Sequence, residues 1–133
     1  MPTPVCHHIG IEVSDLDASI RFYGGLLGLR CHGRGRWEEH GQPAGEFIFA
    51  EAEGLRLELM QACSLPWRPR PRPQPPCWRH PHVALTSTDI AADHARLLAA
   101  GATILEGPLQ MPGCQWLFFA DPDDFVLELV NWA

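Results

Sequence analysis

Four residues carry the side chains best suited to chemistry, and the period of a β-strand predicts a common surface for them. Successive side chains of a strand point to opposite faces of its sheet. In HHIGIEV, Ile9, Ile11 and Val13 share one face, and His8, Gly10 and Glu12 share the other. In LRLELM, Leu55, Leu57 and Leu59 form an apolar face and Glu58 points away from it. Val83 and Leu85 likewise oppose His82, while Phe125, Leu127 and Leu129 oppose Glu128. His8, Glu58, His82 and Glu128 are therefore each predicted on the face turned away from the helices. Two imidazoles and two carboxylates meeting there would form a site for a divalent ion such as Ni, Zn, Co, Mn or Fe(II), with the carboxylates balancing its charge. Taken singly, each of the four reads more simply as a solvated polar side chain. Their recurrence in two related halves is what links them.

The elements that must position these residues repeat within the chain. With His8 laid over His82, HHIGIEVSDLDASIRFY runs beside PHVALTSTDIAADHARL, matching Asp15 to Asp89, Leu16 to Ile90 and Ala18 to Ala92. Both stretches read as a strand, a Ser/Thr-Asp corner and an amphipathic helix. Ser14 with Asp17 predicts the first helix cap and Thr88 the second. Leu16, Ile20 and Leu27 form the first apolar stripe, ended by Gly28, and Ile90, Leu97 and Leu98 the second, ended by Gly101. Strand character follows at 45–50 and 55–60, and again at 115–120 and 125–130. Glu53-Gly54 marks one turn, and Asp121-Pro122-Asp123-Asp124 predicts a type I turn at the equivalent place. Each half is thus β-α-β-β-β, an α+β arrangement. Between them, residues 64–81 hold seven of the 13 prolines, too many for a helix or central strand, and read as an extended connector. The whole, 1–133, is expected to be one domain, with modules at about 5–63 and 80–133.

Composition removes several function classes. Ten basic against 16 acidic residues leave a net charge of −6, which argues against a nucleic-acid partner. All ten bases are arginine, so Schiff-base chemistry and a lysine-bearing phosphate loop are excluded. Five scattered cysteines with no C-x-x-C spacing fit neither a disulfide scaffold nor a zinc ribbon. With neither a signal-like N-terminus nor a long apolar run, a soluble cytoplasmic protein with no membrane partner is expected.

At this point the chain resembles the vicinal oxygen chelate superfamily, the glyoxalase, bleomycin-resistance and extradiol-dioxygenase group. The resemblance rests on HHIGIEVSDLDASIRFYGGLLGL, LRLELMQ, HPHVALTSTDI with LLAAGA, and DPDDFVLELV. It implies two paired modules forming an open, glyoxalase-like barrel around one divalent metal ion held by His8, Glu58, His82 and Glu128. It also implies a homodimer acting on a small molecule. The chemistry implied is that of a lyase or isomerase moving a proton next to a carbonyl, with Glu128 as base and Glu58 able to share that role. An Fe(II) extradiol-type dioxygenase or an antibiotic-resistance transferase is the alternative, and a metal-free ligand-binding module of the bleomycin-resistance kind is a third. Glu12 and Gln61 stand where glutathione-using relatives carry Arg and Asn, which argues against a glutathione adduct as substrate. The final turn also departs from the usual Asp-Pro-Asp-Gly-Asn, with Asp124 and Phe125 in its last two places.

Trp37, Phe47, Phe49, Trp67, Trp116 and Phe118 are candidates for a substrate pocket, though strand aromatics also fill cores. His7 and His80 read as surface residues. Cys6 lacks an evident third group that would make it a nucleophile.

Overall fold

Alternate leucines in two β-strands organise the two cores, and the computed structural model describes residues 1–132 around them. Leu57 and Leu59 are 1% and 0% exposed, and Leu127 and Leu129 are likewise buried, while Glu58 and Glu128 between them face the other way. Two compact units divide the chain, Met1–Arg68 and the part from Pro69 onward, so the break falls inside the proline-rich connector. Among the described residues the first unit contains β1 (Ile9–Glu12), α1 (Leu16–Ile20), β2 (Arg30–Glu39), β3 (Gln42–Ala52) and β4 (Leu55–Ala62). The second contains β5 (His82–Thr86), α2 (Ile90–Ala99), β6 (Thr103–Met111), β7 (Cys114–Ala120) and β8 (Val126–Trp132). Each unit is an open four-stranded mixed sheet, ordered β1-β4-β3-β2 and β5-β8-β7-β6. The α+β class and the β-α-β-β-β repeat are as the sequence predicts. Among the described residues no helix is long and apolar enough to cross a membrane.

In each unit the first strand lies parallel to the last and the other pairings are antiparallel. Helix α1 packs on β3 and β4, and α2 on β6, β7 and β8. The helices thereby occupy one face of each sheet and leave the Glu58 and Glu128 faces to other uses.

The helix starts differ from expectation. Asp15, not Ser14, caps α1, accepting from the amides of Asp17 and Ala18 at 3.0 and 3.2 Å. Asp89, not Thr88, caps α2 through the Ala92 amide. A carboxylate at an extended cap position satisfies amides and also meets the positive end of the helix, which favours Asp over the hydroxyl before it. The first stripe also shifts. Leu16, Phe22 and Tyr23 are buried, whereas Ile20 and Leu27 are half-buried, because the helix continues as a wider π-helical segment over Arg21–Leu26 before Gly28 ends it at φ +77°. In α2, Leu98 is 55% exposed while Ile90 and Leu97 carry the packing.

The strand β2 escaped the periodicity argument because RCHGRGRWEE carries charge on half of its positions and no apolar alternation. It is held by its hairpin with β3, turned by His40 and Gly41, both left-handed at φ 52° and 75°. Paired positive φ is the turn whose twist suits a two-residue hairpin.

Candidate functional site

The same local construction occurs once in each unit. Glu58 pairs with Gly10 across β1–β4, and Glu128 pairs with Ala84 across β5–β8. The histidine lies two residues before that partner in each case, diagonal to the carboxylate on the same face. His8 Nε2 comes to 3.8 Å from Glu58 Oε1, and His82 Nε2 to 3.3 Å from Glu128 Oε1. On the other side each glutamate has an aromatic partner, Phe49 opposite Glu58 and Phe118 opposite Glu128. Those rings meet the histidines edge-on, with centroids 6.2 Å apart for His8–Phe49 and 5.3 Å for His82–Phe118. A His-Glu-Phe cluster is therefore built twice.

The two histidines are prepared differently. His82 Nδ1 lies 2.7 Å from the carbonyl of His80, and a carbonyl only accepts, so the proton of a neutral ring sits on Nδ1. Nε2 then presents its lone pair toward Glu128. In the first unit Arg56 Nη1 lies 3.2 Å from His7 Nε2, and His7 Nδ1 lies 2.8 Å from His8 Nδ1. Arginine only donates, so a neutral His7 passes its Nδ1–H to His8, whose own proton is left on Nε2, toward Glu58.

His80 is half-buried, not a surface residue as the sequence suggests. It closes a 3₁₀ turn over Cys77–Arg79, where its amide donates to the Cys77 carbonyl at 3.1 Å. The turn is anchored by Cys77, whose amide donates to Glu106 Oε1 at 2.9 Å and whose side chain is buried with Phe118 and Val126. Burial first and the Glu106 carboxylate second push the Cys77 thiol up from its ordinary value. The carbonyl that orients His82 thus depends on Glu106, a link that spacing along the chain does not reveal.

His7 is exposed but belongs to a polar chain. Arg56 Nε also reaches Glu51 Oε1 at 2.8 Å, and His32 Nε2 reaches the same oxygen at 2.7 Å. The His32 hydrogen bond, joined by Arg56, holds the Glu51 carboxyl below the ordinary glutamate value against the opposing effect of desolvation. Arg30 stands 3.6 Å from its second oxygen.

The aromatic candidates scatter. Trp116 and Phe118 line a cavity of about 400 Å³ over His82 and Glu128. Phe49 lies beside His8, and Phe47 packs on it at 5.8 Å. Trp37 instead covers Gly45 and lines a separate recess with Arg36, Glu46 and Gln61. Trp67 is half-buried on the connector. Gln61 serves α1, accepting the Leu16 amide at 2.8 Å. The connector is not passive. Arg72 Nε pairs with Asp124 at 2.8 Å, Arg70 donates to the Asp123 carbonyl, and both arginines line a recess with His80 and Phe125. A hydrogen-bonded turn forms at the expected place, its Asp124 amide bonded to the Asp121 carbonyl, and Asp124 adopts φ 63° where glycine would be unstrained.

The family model of the Glyoxalase/Bleomycin resistance protein/Dioxygenase superfamily matches residues 6–129. The chain belongs to this superfamily. It is 28% identical over 145 residues to a 2-epi-5-epi-valiolone epimerase of an Actinomyces species, covering 94% of this chain and 78% of that relative. The glyoxalase family protein of Bacillus cereus has the same fold, with a TM-score of 0.81 at 21% identity, covering 99% of this chain and 96% of its own. The fosfomycin resistance protein FosX of Listeria monocytogenes follows at 0.72 and 19%, covering 100% and 96%. Members of the superfamily typically use a divalent metal ion and bind small molecules.

The donor chemistry of this glyoxalase-superfamily chain fits such an ion. Two ligands each about 2.0–2.2 Å from one ion stand roughly 3.0–3.4 Å apart at ordinary coordination angles. The 3.3 Å His82–Glu128 separation falls in that range, and the 3.8 Å His8–Glu58 separation is a few tenths of an ångström beyond it. A backbone acceptor on Nδ1 with a free Nε2 is also how ligating histidines are usually held. Among the described residues no three His, Cys, Asp or Glu side chains gather closely enough to hold an ion.

Proposed function

We propose that this chain is a metal-dependent lyase or isomerase that moves a proton next to a carbonyl, with His8, Glu58, His82 and Glu128 as metal ligands. The observation that carries the reading is the His82–Glu128 pair. With the ring neutral, the His80 carbonyl holds the proton on Nδ1 and the Nε2 lone pair faces a carboxylate at 3.3 Å, an arrangement that accommodates a cation between its atoms. The His8–Glu58 pair repeats the register, and His8 becomes a donor to an ion once its Nε2 gives up the proton it holds toward Glu58.

A divalent ion held by these residues would supply positive charge that makes the C–H beside a substrate carbonyl easier to ionise. Glu128, 16% exposed, takes the proton from the carbon beside the carbonyl and returns it to the same or the neighbouring carbon. Phe118 covers one side of the pair. An epimerase among the relatives accords with a proton removed and returned.

Elemental analysis of tag-free protein, purified without chelator, tests the proposal beside a His82→Ala/Glu128→Ala double variant. About one divalent ion per chain, lost in the variant, is expected. Protein that stays empty after incubation with Ni, Zn, Mn and Fe(II) would overturn it in favour of a metal-free binding module.

A further inference from the structure

The cavity over His82 and Glu128 has walls unlike its floor. Its floor is one face of β5, β8 and β7, and its walls include Trp78, Trp116, Trp132 and Met111. Three of the chain's five tryptophans therefore border one recess of about 400 Å³. The ten arginines of the chain contribute nothing to that lining, whose charged groups are Glu128 and, when protonated, His82. An anionic group entering here would meet a carboxylate with no guanidinium to balance it.

Strand register gives the spacing. Trp116 pairs with Val130, two residues along β8 from Glu128, and Trp132 lies two further on the same face. At about 3.3 Å per residue, Trp116 sits roughly 7 Å from Glu128 along the strand and Trp132 roughly 13 Å. Seven ångströms is about the span of one six-membered ring with an oxygen at its edge. Trp116 is also a firm platform, packed against the buried Cys77, Phe118 and Val126 cluster. Trp78 and Trp132 also border the cavity and are each 69% exposed.

We propose that this cavity holds the flat face of an uncharged cyclic substrate, stacked on Trp116 and flanked by Trp78 and Trp132, with two adjacent ring oxygens directed at His82 and Glu128. This substrate class rests on the proposed function for the role of the oxygens. The stacking itself requires no metal. An acyclic or phosphorylated hydroxycarbonyl gains little here, because it offers no ring face and no arginine receives its charge.

The test is a set of titrations of the full chain, with and without added Ni, read by tryptophan fluorescence and calorimetry. Racemic 2-hydroxycyclohexanone is compared with hydroxyacetone and dihydroxyacetone phosphate. The cyclic compound is expected to bind at least about tenfold more tightly than either acyclic one. Trp116→Leu and the rim double variant Trp78→Ala/Trp132→Ala should each weaken only the cyclic compound, by about threefold to tenfold, and leave metal content unchanged. The rim variant guards against misfolding, since both of its side chains are exposed. A ring preference that survives both variants, or tighter binding of the phosphate, overturns the proposal. A ring preference lost in the variants of a protein that takes up no metal upholds the stacking and sinks the metal-dependent reading alone.

Discussion

Removal of the Glu106 carboxylate is the sharpest test of how the His82 site is held. Glu106 receives the amide of the fully buried Cys77 at 2.9 Å, and the turn so anchored ends in the carbonyl that bonds His82 Nδ1 at 2.7 Å. Glu106→Ala strands a buried donor that had a charged acceptor, a loss of about 1.5–3 kcal/mol. With a urea m-value of about 1–3 kcal/mol/M, the unfolding midpoint should fall by roughly 1 M at unchanged slope. Freed from its anchor, the His80 carbonyl no longer selects the Nδ1–H form. Long-range ¹H–¹⁵N correlation on metal-free protein should show His82 wholly Nδ1-protonated in the parent when neutral and a tautomer mixture in the variant. Metal affinity should drop about 10–100-fold, as for other lost partners of a ligating histidine. Glu106→Gln keeps an oxygen acceptor and should restore the tautomer and most of the affinity. The reasoning is refuted if Glu106→Ala unfolds at the parental urea concentration, or if His82 keeps its single tautomer in that variant.

Three further outcomes follow from the same geometry. Glu51 has its folded pKa lowered by His32 and Arg56, so its contribution to stability is complete above the ordinary value of 4.5 and fades as pH falls through the lowered one. Glu51→Gln should therefore lose stability at neutral pH and little at strongly acid pH, as urea midpoints against pH would show. A methyl group on Gly45 would run into the Gln61 carbonyl and the Trp37 indole, so Gly45→Ala should cost about 1–3 kcal/mol in the same assay. At Asp124, glycine removes the φ 63° strain but also the Arg72 pair. Asp124→Gly should stay within about 1 kcal/mol of the parent, whereas Asp124→Ala, which keeps a Cβ and loses the pair, should fall about 1 kcal/mol below it.

Much of the fold was legible because hydrophobic alternation is a local property. The leucines of β4 and β8 placed Glu58 and Glu128 on the far face with no knowledge of neighbours. The repeat matched Asp15 to Asp89 correctly, yet the caps were assigned one residue early, because Ser14 and Thr88 are also capping types and the extended backbone that puts the cap on the following carboxylate is not visible in residue types. β2 was not located, since its strand character comes from pairing with β3 and not from its own residues.

By itself the sequence determined the chemistry available. Two His and two Glu fall at equivalent strand positions, an acidic lysine-free chain limits the partners, and a proline-rich break separates two modules. These follow from residue types and short-range period. Only the tertiary structure decided which atoms meet: Phe49 and Phe118 opposite the glutamates, three tryptophans around one cavity, and the His80 carbonyl on His82. Cross-strand register and the path of the connector join residues far apart along the chain, as with Glu106 and Cys77, and no local pattern of residue types encodes that distance.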